Sequence, residues 1–128
     1  LALQTARDVQ KQRPKEAAGY LMEGDVHASA RRWGEAATAF NAGLRAAPAP
    51  ELAIKLHSVL SFDGKAAEAE RVSTAWLRDN PRDSAMLMYL GDRAMTNNRL
   101  QDAQKHYDRV IALQPNNALA LNNLAWVA

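Results

Sequence analysis

Apolar residues recur along the chain at spacings of three and four, as in Leu87, Leu90 and Ala94 or Ala103, Tyr107 and Val110, so that each set forms one buried helical stripe. The alternation of a half-buried strand is missing from this pattern. Helices are predicted near 1–12, 16–30, 34–47, 51–62, 65–79, 83–97, 99–113 and 117–127. Gly64 and Asn98 fall between successive predicted helices, where Gly or Asn readily supplies a left-handed backbone residue. Arg31 takes the corresponding place earlier in the chain.

Pro14, Pro48, Pro81 and Pro115 divide the chain at intervals of 34, 33 and 34 residues. A proline cannot continue the hydrogen bonding of a preceding helix, so each one ends a helix pair and opens the next. A repeat of this length is the signature of a solenoid, whose units bury their apolar faces by stacking on their neighbours. With each proline as the last of 32 pattern positions, complete repeats begin at Ala17, Pro50 and Ser84. The twentieth position is Ala36, Ala69 and Ala103, and the twenty-fourth is Phe40, Ser73 and Tyr107. The eighth is Gly24, His57 and Gly91. Repeat two therefore departs from the other two, and Trp76, three residues after Ser73, is expected to fill the volume that a missing aromatic leaves.

These positions resemble the tetratricopeptide repeat, most clearly in Leu87, Leu90, Gly91, Ala103, Tyr107 and Pro115. The resemblance implies an all-α fold, a right-handed superhelical solenoid of antiparallel helix pairs with three full repeats and a half repeat at each end. Residues 1–16 would be the second helix of a preceding repeat, 17–49, 50–83 and 84–117 the complete repeats, and 118–128 the first helix of a following one. The register continues through Ala2, Ala6 and Val9 at one end and Leu121, Leu124 and Ala125 at the other, so the chain is expected to be a piece of a longer array. Apolar ends of this kind favour self-association.

A 48% hydrophobic composition over 128 residues is enough for one continuous core. Sixteen basic and fourteen acidic side chains nearly balance, which does not call for a polyanionic partner. Cysteine is absent, excluding disulfides and thiolate metal sites. No apolar run is long enough to span a membrane, and no membrane contact is expected of this segment.

Catalytic chemistry finds no foothold. His27, His57 and His106 stand at positions eleven, eight and twenty-three of different repeats and do not converge as metal ligands. Packing is expected of the first two and a solvated surface of His106. The glycines from Gly19 to Gly24 lack the lysine and hydroxyl residue of a phosphate-binding loop. No metal, cofactor or enzyme activity is expected. Arg31, Arg32 and Trp33 form a basic and aromatic cluster, but basic residues do not recur along one face as phosphate binding requires, so no nucleic-acid partner is expected.

The resemblance implies that function lies on the first helices, which in this family line a concave groove. Register assigns to that groove Leu21, Met22 and Asp25 from repeat one, Ile54, Lys55 and Ser58 from repeat two, Met88, Tyr89 and Asp92 from repeat three, and Asn122, Asn123 and Trp126 beyond it. Apolar residues with scattered polar anchors suit an extended peptide or a partner helix. Members that clamp the terminal carboxylate of chaperone tails use several groove cations. Here Leu21 and Asp25, then Lys55, then Ala85 and Tyr89 occupy those positions, leaving one cation and excluding that ligand.

The run Asn116–Val127 resembles bacterial tetratricopeptide lipoproteins associated with exosortase (PEP-CTERM) and exopolysaccharide systems. That resemblance implies a periplasmic, membrane-anchored scaffold, with a cytoplasmic adaptor as the alternative. A substrate-docking segment of a larger enzyme and a helical-repeat RNA-binding protein remain open as other classes.

Overall fold

The computed structural model describes residues 1–127, and among them every regular element is an α-helix. The helices are α1 (Ala2–Gln12), α2 (Ala18–Ser29), α3 (Trp33–Ala46), α4 (Pro50–Phe62), α5 (Ala66–Asp79), α6 (Ser84–Thr96), α7 (Leu100–Leu113) and α8 (Ala118–Val127). They fit three helix pairs, α2–α3, α4–α5 and α6–α7, with a single helix before and after. The chain divides into two compact units, Leu1–Asp79 with α1 to α5 and Asn80–Ala128 with α6 to α8.

Within each pair the turn is made the same way. Arg31 and Asn98 have φ of 59° and Gly64 has φ of 74°. This left-handed residue lets the next backbone N–H reach back over the last helical turn: Arg32 donates to the His27 carbonyl, Lys65 to Leu60 and Arg99 to Ala94, at 2.9, 2.9 and 2.7 Å. Carbonyls that a helix end would leave unpaired are thereby satisfied. Between pairs, Pro50 opens α4 at its first turn, where its missing N–H costs nothing. Asp83 caps α6 by accepting from the Ala85 N–H at 3.1 Å, and Asn117 does the same for Ala120 at 3.0 Å.

In the first unit, Ala36, Phe40, Leu52, Leu56, Val59, Leu60 and Ala69 form a buried cluster, with Tyr20, Leu21 and Trp33 packed against it. In the second, Met86, Leu87, Ala103, Tyr107, Val110 and Ala120 are fully buried. The paired helices approach closely at a shared register point. A Cβ placed on Gly24 would lie 2.1 Å from the Phe40 ring, and one on Gly91 would lie 2.6 Å from the Tyr107 ring. Each aromatic ring rests on bare backbone, which brings the two helices together without a void.

Repeat two reverses the sizes. His57 stands at the glycine position and Ser73 at the aromatic one, and both are buried, at 8% and 6% exposure. The large side chain has moved from the second helix to the first. Trp76, expected to fill this volume, is half-buried on α5. His106 also differs from expectation. It is half-buried on α7 rather than solvated, its Nδ1 is out of solvent with no hydrogen-bond partner, and burial lowers its pKa.

Gly91→Ala should destabilise the fold by about 1–3 kcal/mol, the usual cost of overpacking. Gly34, whose added Cβ would meet nothing within 4 Å, is the control within a helix. Gly34→Ala should stabilise by about 0.4–1 kcal/mol through the unfolded chain. Urea denaturation of both variants measures the two opposite signs.

Candidate functional site

The first helices of the first unit are α2 and α4, and a polar contact links them directly. Lys55 Nζ lies 2.6 Å from Asp25 Oδ1. Both side chains are substantially exposed, so the pair contributes at most about 1 kcal/mol to stability. Its larger effect is to neutralise Lys55, the single cation that register placed in this groove. Met22 is 37% exposed, Ile54 and Ser58 are half-buried, and Leu21 packs against the core cluster.

The second unit repeats this step between α6 and α8. Asp92 holds the same repeat position as Asp25, and Asn123 the same position as Lys55. Asn123 Nδ2 donates to Asp92 Oδ1 at 3.3 Å. The structure therefore joins each aspartate to its counterpart on the next first helix, 30 residues on in one unit and 31 in the other. The partners differ in charge, however, because Asn123 is neutral.

Asp92 has a second contact that sequence reasoning missed. The hydroxyl of buried Tyr107 donates to the same Oδ1 at 2.6 Å. Repeat one carries Phe40 at this position, so its ring fills the same space but cannot hold Asp25. Burial, then the hydrogen bond to the Asp92 carboxylate and its charge, raise the Tyr107 pKa well above the ordinary phenol value. The exchange of Phe for Tyr was the available signal, although periodicity registers both as one aromatic.

Around Asp92 stand half-buried Met88 and Tyr89, with the Arg93 guanidinium 5.9 Å from the centre of the Tyr89 ring. On α8, Asn122 is exposed, and Trp126 is 78% exposed. Leu119 and Leu121 are 69% and 47% exposed on the same helix. Of the cluster Arg31, Arg32 and Trp33, the last two are engaged locally. Trp33 stacks on Phe62 with centroids 5.1 Å apart, and Arg32 Nε donates to His27 Nδ1 at 3.1 Å.

The profile of the tetratricopeptide repeat family matches residues 1–49 and 90–128, and the chain belongs to that family. The unmatched stretch contains repeat two, where the glycine and aromatic positions are His57 and Ser73. Among solved structures, the chain is similar to the first tetratricopeptide domain of Spaghetti (RPAP3) bound to the HSP90 peptide SRMEEVD. It is 26% identical, with a TM-score of 0.63, over 88% of this chain and 90% of that one. YrrB, a tetratricopeptide protein described as having an unusual peptide-binding site, is 20% identical with a TM-score of 0.59. That match covers 98% of this chain and 65% of YrrB and concerns the fold alone. No curated protein sequence matches the chain.

The raised Tyr107 pKa gives a pH dependence with a definite sign. Its contribution to stability is complete below the unfolded phenol value of about 10 and is lost as pH rises above it, because only the unfolded chain then releases the proton readily. Stability measured by denaturation should fall more steeply above pH ~10 in the native chain than in Tyr107→Phe. Parallel curves would contradict the buried contact.

Proposed function

We propose that this chain is a non-catalytic interaction scaffold whose first helices hold an extended peptide or a helix of a partner protein. The observation that carries the reading is the surface around Asp92, where Met88, Tyr89 and Trp126 offer apolar contact beside a polar anchor on adjacent first helices. Similarity to a domain bound to a peptide supports the same mode. The acidic ligand of that domain does not suit this chain. Lys55 is already paired with Asp25, and Asp92 would repel acidic side chains.

The resemblance of Asn116–Val127 to exosortase-associated lipoproteins supports a finer setting, a bacterial envelope or exopolysaccharide assembly reached through a lipid anchor in the parent protein. Metabolic labelling of the parent with a fatty acid tests this, and an unlabelled protein confined to the cytosol would overturn it. The exposure of Leu119, Leu121 and Trp126 favours a second role for α8 in joining two copies of the chain. Sedimentation at hundreds of micromolar should then show a dimer that Leu121→Glu abolishes, while a strict monomer would overturn it.

Tyr89 is the expected hot spot, being aromatic and able to donate a hydrogen bond. For peptides selected from a displayed dodecamer library, Tyr89→Ala should weaken binding by about 2 kcal/mol, whereas Arg109→Ala on α7 should leave it unchanged. Calorimetric titration makes the comparison. Loss only with Arg109→Ala would move function to the second helices.

A further inference from the structure

We propose that Asp92 determines the ligand specificity of the second unit by taking the ammonium or guanidinium group of a basic residue in the bound peptide. This deepens the proposed function and rests on it. Both contacts to the Asp92 side chain, from Tyr107 and Asn123, fall on Oδ1. Oδ2 accepts no hydrogen bond among the described residues, and Asp92 itself is exposed. Neither partner carries a positive charge, and no cation among the described residues lies within ion-pair distance. The carboxylate is therefore anchored through one oxygen while the other, which shares the group's negative charge, accepts no hydrogen bond among the described residues.

The matching aspartate of the first unit is the internal comparison. Asp25 stands at the same repeat position, but Lys55 neutralises it at 2.6 Å, and Phe40 beneath it has no hydroxyl. Two substitutions in register, Phe to Tyr below and Lys to Asn alongside, turn an internally satisfied aspartate into an oriented, unneutralised one. A charge-assisted hydrogen bond to a ligand cation gains from this, because little side-chain freedom is left to lose on binding. Met88, four residues before Asp92, and Trp126, three after Asn123, lie on the same helical faces. They suit an apolar neighbour or the methylene stem of the basic residue itself. Tyr107, buried under Asp92, acts as a positioning residue and does not touch the ligand.

The test uses the intact chain and dodecapeptides selected on it from a displayed library, each resynthesised with its basic residues kept or changed to glutamine. Selected peptides should carry Lys or Arg, and Asp92→Asn should weaken the basic form about tenfold while leaving the glutamine form unchanged. Tyr107→Phe should weaken the basic form about threefold and not the glutamine form, a dependence on ligand charge that a packing role would not produce. Asp108→Asn, which removes an exposed carboxylate on the second helix α7, should change neither. Equal affinity of basic and glutamine forms, or an Asp92→Asn variant that binds both as the native chain does, overturns this inference. Peptide binding that Tyr89→Ala still weakens would then leave the groove reading standing. A failure to select any binding peptide overturns both.

Discussion

The paired helices of this protein depend on a size exchange at one point of contact. A glycine on the first helix receives an aromatic ring from the second, Gly24 under Phe40 and Gly91 under Tyr107, at distances that leave no room for a Cβ. Helix packing tolerates such closeness only where one partner is reduced to backbone. The tight left-handed turns at Arg31, Gly64 and Asn98 return each second helix to meet its first in this register. In repeat two the same two positions hold the sizes reversed, His57 on the first helix and Ser73 on the second, both buried.

That register carries through to the exposed surface. Because the helices of each pair are held at a fixed offset, Asp25 meets Lys55 and Asp92 meets Asn123, one repeat further along. Tyr107 then joins core to surface, since the ring that fills the space over Gly91 also presents its hydroxyl to Asp92. A single residue thereby serves packing and electrostatics together. The chain has two corresponding aspartates with different partners, one paired with a lysine and the other held by two uncharged donors.

Much of this was legible in the sequence. The proline spacing and the small residues Ala36, Ala69 and Ala103 mark the helix pairs, and Arg31 was located in the turn although arginine rarely takes a left-handed conformation. The exchange in repeat two was harder to see. Ser73 marks a missing aromatic, but periodicity alone does not say which neighbour takes up the space, and both Trp76 on the same helix and His57 across the pair are withdrawn from solvent in part or in full. The contacts of Asp92 were hidden for a related reason. Periodicity sorts residues by face and size, and a hydroxyl added to a buried ring changes neither. His106, expected on a solvated surface, is instead half-buried with its Nδ1 out of solvent, because periodicity does not resolve partial burial at the edge of a helix face.

The size exchange itself can be tested by transplanting it. A double-mutant cycle on His57→Gly and Ser73→Tyr converts repeat two to the arrangement of repeat three, with stability read from urea denaturation. Each single change should destabilise, one by opening a cavity and the other by overpacking. The double variant should recover at least about 1 kcal/mol relative to their sum, within the range seen for residues in direct contact. Strict additivity of the two changes would contradict the account, because it would mean that positions eight and twenty-four of that repeat do not share one volume.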